Sequence, residues 1–346
     1  MHAVAFHEHG EIDNLELMDV PRPTPESDEV IVAVEAAALN HQDLFAVREL
    51  DHYVPQYPFW GGGDIAGVVD ELGDEVTGWE EGDRVAVNPA ISCGECEFCV
   101  RGEHSQCANY AVFGEHRLGG FAEYVAVPAE NLVRVPDGYE MTKAAAAPMA
   151  AGTAWRMLVT RADVDPWDDV LIVGASGGVG SYAVQIAKNV LNVGTLYGTT
   201  SSAAKADFLR ELGVDEVIDY TEEDFSRVVW EATDKRGVDV VVNNVGGETW
   251  VPSLRTLRNG GTLVTSGATA GPNPETEIRL LFVRQLNVLG STTHTRDSFA
   301  TMMEYVFDGT IDPVVQETYP LEEFEEAFRK MADRELYGKV VLTVGE

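Results

Sequence analysis

The stretch Val170-Leu-Ile-Val-Gly-Ala-Ser-Gly-Gly-Val-Gly180 decides the fold. Its four opening apolar residues read as a buried strand, and Tyr182-Ala-Val-Gln-Ile-Ala beyond it reads as a helix. Between them, Ala175-x-Gly177-x-x-Gly180 has the spacing of a turn that cradles a dinucleotide, with Ala175 where the commonest fingerprint has its first glycine. Gly177 lets the backbone approach a pyrophosphate at the helix N-terminus, where free N–H groups and the helix dipole favour an anion. Gly180 lets the helix lie close on the strand. Ser176, Gly177, Gly178, Val179 and Gly180 are the expected phosphate-binding residues.

Downstream the pattern repeats. Strands are expected at 194–198, 216–219, 238–242, 261–264 and 287–290, with helices at 179–190, 203–212 and 223–232. Repeated βα units of this length build a doubly wound parallel sheet. Upstream, the first 150 residues are rich in Val, Gly and Pro. The runs Val30-Ile-Val-Ala-Val-Glu, Gly67-Val-Val-Asp-Glu and Asp83-Arg-Val-Ala-Val have strand periodicity, bounded by turn residues. An irregular β-rich domain is expected there. Residues 144–159 have helix length but contain a proline and a glycine, which predicts two pieces. The tail predicts an amphipathic helix at 321–331, with Phe324, Ala327, Phe328 and Met331 on one face, and a last strand from Lys339. The expected division is 1–150 with 300–346, and 151–299.

Nucleotide preference is read at the end of the second strand, where an acid would bond a ribose 2′-hydroxyl. Here the run is Leu196-Tyr-Gly-Thr-Thr-Ser-Ser-Ala-Ala-Lys205, and it contains no acid. Hydroxyls, Ser201 among them, and Lys205 suit a 2′-phosphate, so NADP(H) is favoured over NAD(H). The alternative for Lys205 is a solvated residue at a helix start.

All four cysteines, Cys93, Cys96, Cys99 and Cys107, fall in one lobe at about 90–110. Thiolates spaced this closely on one loop suit a tetrahedral zinc better than crowded disulfides. Four protein ligands leave no open coordination position, so one structural zinc per chain is expected.

The chain of 346 residues carries 58 acidic against 24 basic residues, a formal charge of −34, with 45% hydrophobic residues. That much apolar material supports a folded core rather than an acidic disordered chain. The deficit of basic residues argues against nucleic acid and against an anionic membrane surface as partners. Only six lysines are present, and the acid is spread along the chain rather than held in a tail. Dispersed acid on a foldable core predicts a surface that stays hydrated in concentrated salt, a halophilic type. No leader-like or membrane-length apolar run appears, which predicts a cytoplasmic protein.

Together the cysteine lobe, Gly82-Asp-Arg-Val, Gly120-Phe-Ala-Glu-Tyr, the glycine turn and the closing Gly338-Lys-Val-Val-Leu resemble the medium-chain dehydrogenase/reductase superfamily over essentially the whole chain. That superfamily includes zinc alcohol dehydrogenases and quinone oxidoreductases. The resemblance implies a GroES-like β-rich catalytic domain beside a Rossmann cofactor domain, and a homodimer or homotetramer acting on a small molecule. In the alcohol dehydrogenases a second, catalytic zinc has three protein ligands, and the matching positions here fall on Asn40, on Gly63, and on or near Met149. None offers a thiolate, imidazole or carboxylate. The quinone oxidoreductase branch carries Asn-x-x-Asp where this chain has Asn40-His-Gln-Asp43. It also carries 2′-phosphate residues matched by Gly198, Thr199, Lys205 and Tyr220. Those quinone reductases typically lack the cysteine lobe, so the chain looks like a hybrid subgroup.

The resemblance thus implies NADPH-dependent reduction of a quinone or conjugated double bond without catalytic zinc. Asn40 would position nicotinamide or substrate, His41 would donate or relay a proton, Asp43 completes the motif, and Tyr53 is a further donor candidate. A conjugated acceptor delocalises the charge that a simple carbonyl must place on zinc, so hydrogen-bond donors can suffice. The alternatives are a zinc alcohol dehydrogenase with an improvised site at His41, Asp43 and Asp64, and a non-catalytic NADPH-binding sensor or crystallin-like protein.

Overall fold

Val170–Val173 is buried at every residue, as a strand covered on both faces must be. In this computed structural model, which describes residues 1–48 and 57–345, that strand lies inside a parallel sheet of six. The spatial order is Glu216–Asp219, Leu196–Thr200, Val170–Val173, Val238–Asn243, Leu257–Thr265 and Asn287–Gly290, and every pairing is parallel. Chain order reverses between Val170–Val173 and Val238–Asn243, the switch point beside which such sheets bind ligands. Leu171, Val173, Tyr197, Ile218, Val241 and Leu263 form the core with Val229 and Leu254 from the covering helices. Helix starts follow local chemistry: Ser202 accepts the Lys205 N–H and Asp224 accepts the Ser226 N–H. The helix expected at 179–190 is Gly178–Gln185 followed by a wider π-helical turn, Ile186–Leu191, ended by left-handed Asn192 at φ 53°.

These elements belong to one compact unit, Ala151–Thr293, and the remaining chain, Met1–Ala150 with His294–Glu346, forms a second. The hub of the second is Glu29–Ala38, which is buried at nearly every residue. One edge pairs antiparallel with Asp64–Leu72. The other is shared, with Glu29 to Ala33 facing Tyr124–Pro128 and Ala36 to Ala38 facing Lys339–Thr343. Arg84–Val87 and Leu132–Arg134 extend the sheet beyond Asp64–Leu72. The tail helix is Phe324–Ala332 after a 3-10 turn at Leu321–Glu323, and it buries Phe324, Ala327, Phe328 and Met331 in this unit's core. The region 144–159 carries more breaks than the expected one: Met141–Ala146, Pro148–Trp155 and a π-helical turn at Arg156–Arg161. No helix among the described residues is long and apolar enough to cross a membrane.

Candidate active site and metal centre

Sheet register builds the centre of the first site. Val341 stands opposite Ala38 in an antiparallel pair, and Ala38 stands opposite Asp64 on its other side. Two residues back from Val341 is Lys339, which this register sets against Asn40. The Lys339 ammonium donates to the Leu39 carbonyl at 2.8 Å, to Asn40 Oδ1 at 2.6 Å and to Asp64 Oδ2 at 3.0 Å. Asp64 Oδ2 also accepts from Asn40 Nδ2 at 2.9 Å, and its Oδ1 accepts the Met149 N–H at 2.6 Å. Lys339 and Asp64 side chains are 3% and 0% exposed. Removing one partner of such a pair strands the other charge, at a cost of about 3–5 kcal/mol.

Asp43 frames the same corner. It stands at the third helical position of His41–Arg48 and reaches back to the Asn40 N–H at 2.7 Å, one half of a capping box. Its other oxygen accepts the Gly62 N–H at 2.9 Å. Burial pushes its carboxyl up to about 7, outweighing those two N–H groups and the Lys339 charge. Both Asp43 oxygens thus help to hold the backbone of this corner. His41 is exposed by area, yet desolvation by the surrounding chain, with the Arg334 and Lys339 charges, lowers its pKa. A neutral imidazole at pH 7 suits a proton relay better than an acid. Tyr53 lies outside the described residues.

The three positions matching catalytic zinc ligands are closed by other chemistry. Asn40 is held between Lys339 and Asp64. A Cβ on Gly63 would lie 2.9 Å from the Phe113 carbonyl oxygen and 3.3 Å from the Met149 methyl, so that methyl covers the place where a second ligand would start. Both oxygens of Asp43 and of Asp64 already accept hydrogen bonds. Among the described residues, the only group of three or more His, Cys, Asp and Glu ligand atoms gathered for a metal ion is the cysteine cluster. His41, Asp43 and Asp64 do not form one.

In that cluster the four sulfur atoms lie within 4.8 Å of one another. Neighbouring Sγ separations are 3.4 Å for Cys107–Cys93, 3.5 Å for Cys96–Cys99 and 4.0 Å for Cys93–Cys99. Zinc–sulfur bonds of about 2.3 Å require tetrahedral edges of about 3.8 Å, which these values bracket. Backbone N–H groups bring the Cys96 thiol down to about 6 while burial pushes Cys99 up to about 11. A divalent cation supplies the charge that holds all four as thiolates. The cluster fits zinc, with no position left for substrate.

The glycine turn lies in the other unit. Gly174 takes φ +72°, and a Cβ on Gly180 would lie 2.3 Å from the Gly174 carbonyl oxygen, so close helix packing requires that glycine. Gly177 differs: its Cβ would meet only the Gly174 oxygen, at 3.5 Å. The chain itself does not demand glycine there, which fits a position kept open for a ligand. Gly177 supplies no side-chain cap, so the N–H groups of Gly178, Val179 and Gly180 have no intrahelical acceptor. A pyrophosphate fits this cradle.

Around it, Thr199 is fully buried, and its hydroxyl accepts the Gly174 N–H at 3.0 Å. Thr199 therefore shapes the turn. Buried Ser176 accepts from Thr200 at 3.3 Å. Ser201 and Lys205 are half-buried and Tyr220 is exposed. Desolvation lowers the Lys205 pKa.

Two family models cover most of the chain: an alcohol dehydrogenase GroES-like domain over residues 26–137 and a zinc-binding dehydrogenase domain over residues 212–342. The chain belongs to the medium-chain dehydrogenase/reductase superfamily. It is 32% identical over 330 residues to an acryloyl-coenzyme A reductase of Sulfurisphaera tokodaii, covering 94% of this chain and 95% of that protein. A crystal structure of an NAD-dependent alcohol dehydrogenase matches with a TM-score of 0.96 at 38% identity, covering 100% of both chains. A 2-octenoyl-CoA carboxylase reductase in complex with NADP and 2-octenoyl-CoA matches with a TM-score of 0.88 at 30% identity, covering 96% of this chain and 82% of that one. The fold is the superfamily's GroES-like domain with a Rossmann sheet, and the protein is an oxidoreductase.

Sequence reasoning missed the Lys339 contact with Asp64 and Asn40, and the methyl of Met149 over Gly63. The available signal was Lys339 itself, a scarce residue followed by the apolar run Val340-Val-Leu342.

Proposed function

We propose that this oxidoreductase uses NADPH to reduce a carbon–carbon double bond conjugated to a carbonyl, or a quinone, without a catalytic zinc. The observation that carries the reading is the occupancy of the zinc-ligand positions by Asn40, Gly63 and Met149, with a buried ammonium joined to Asn40 and Asp64. Similarity to an acryloyl-coenzyme A reductase and to a 2-octenoyl-CoA carboxylase reductase supports the substrate chemistry. A nicotinamide nucleotide held by the glycine turn would supply the hydride that the β-carbon takes up. Negative charge then develops on the substrate's carbonyl oxygen, where the Asn40 amide donates a hydrogen bond, and the α-carbon takes a proton relayed from solvent by His41. The acid-free run ending at Lys205 supports NADPH over NADH, and the cysteine cluster would hold the one zinc.

A second reading, NAD-linked alcohol oxidation on a rearranged zinc, is favoured by the 38% identity to an NAD-dependent alcohol dehydrogenase. A substrate panel separates the two. NADPH oxidation with acryloyl-coenzyme A, 2-cyclohexenone and 1,4-benzoquinone, against NAD reduction with primary and secondary alcohols, should favour at least one conjugated acceptor by 100-fold or more in kcat/KM. Dominant alcohol turnover would overturn the reading, and a chain inert with every pair would return it to the non-catalytic class.

We further assign the protein to a salt-rich cytoplasm, from its charge of −34. Self-association is supported by Asn287–Gly290, the edge strand of its sheet among the described residues, beside exposed Ile278, Phe282, Val283 and Val288.

A further inference from the structure

Of six lysines in this acid-rich chain, Lys339 is 3% exposed, so its charge adds little to the surface. Its three N–H bonds match three acceptors: the Leu39 carbonyl, Asn40 Oδ1 and Asp64 Oδ2. The Asn40 amide is gripped at both ends, since its oxygen faces the ammonium and its nitrogen faces the Asp64 carboxylate. Chemistry alone fixes which end is which. Nδ2 carries a second hydrogen, and no acceptor among the described residues takes it.

We infer that Lys339, balanced by Asp64, is a positioning residue that orients and polarises the Asn40 amide so that its second Nδ2 hydrogen meets the substrate's carbonyl oxygen. An ammonium on Oδ1 draws electron density from the amide and strengthens its N–H as a donor. The cation acts through a side chain instead of binding the substrate oxygen itself. This rests on the reading of Asn40 as the donor, and the two can fail separately.

The experiment is a kinetic double-mutant cycle with NADPH and acryloyl-coenzyme A or 2-cyclohexenone. It compares wild type, Asn40→Ala, the paired variant Lys339→Met/Asp64→Asn, and the triple variant. The paired variant removes both charges together, because Lys339→Met alone would strand a buried carboxylate. Asn40→Ala should lower kcat by roughly 100-fold, the scale of losing one oxyanion donor. The paired variant should lower it at least tenfold, with the KM for NADPH within twofold of wild type and zinc content unchanged. The triple variant should be no slower than Asn40→Ala, because the charges act only through that amide. Wild-type kcat in the paired variant, or multiplicative losses in the triple, would overturn the inference and leave the Asn40 reading standing. A wild-type rate in Asn40→Ala, or no turnover of either acceptor by the wild type, would overturn both.

Discussion

Asp43 is held by the Asn40 and Gly62 N–H groups in a corner too buried for a free carboxylate, and its pKa rises from 3.8 to about 7. Between those values the folded chain keeps a proton that the unfolded chain has released. The group's stabilising contribution is therefore full below about pH 4 and is lost as pH rises through about 7, by an amount on the order of a few kcal/mol. Denaturant unfolding at pH 5 and pH 8 in molar salt should show wild type losing more stability than Asp43→Asn over that interval. An identical pH slope in both would contradict it. Little of this was legible in sequence. Asn40 and Asp43 lie close together in the chain, but Lys339 lies 275 residues from Asp64, and only the pairing of Lys339–Thr343 with Glu29–Ala38 brings them together.

At the level of elements, the glycine turn was the most legible feature, because its strand, spacing and helix are contiguous. Gly180 shows the packing reason and Gly177 the lack of one. Helix ends were less legible. A periodicity of 3.6 does not reveal that the helix after the turn widens at Ile186–Leu191, nor that the segment from Met141 breaks at Ala147 and widens again at Arg156. The cysteine lobe was readable from spacing, since its ligands span only 15 residues from Cys93 to Cys107. The Leu196–Thr200 strand and the helix after it carry their own prediction. Lys205→Ala should raise the KM for NADPH about tenfold and leave that for NADH within twofold, because only the former offers a 2′-phosphate. Equal changes for both nucleotides would remove Lys205 from that role.

Over the whole molecule, a charge of −34 meets an anionic cofactor. At low ionic strength the fields repel over tens of ångströms, whereas at 1 M salt the screening length falls to about 3 Å and local donors decide binding. NADPH affinity measured by fluorescence titration should improve between 0.1 M and 2 M salt. Weakening across that range would contradict the high-salt reading. Lysine use agrees with a surface given over to acid: Lys143, Lys188 and Lys330 are each paired with a carboxylate, as Lys339 is inside. The ammonium-held Asn40 amide stands where the resemblance to alcohol dehydrogenases implies a catalytic zinc ligand, and the proposed function turns on that exchange. The most direct measurement is zinc stoichiometry by elemental analysis on the same sample whose NADPH-dependent reduction of a conjugated carbonyl is assayed before and after mild chelation. One zinc per chain and turnover that survives chelation are expected; two zincs per chain, with activity lost as the second is removed, would contradict the proposed function.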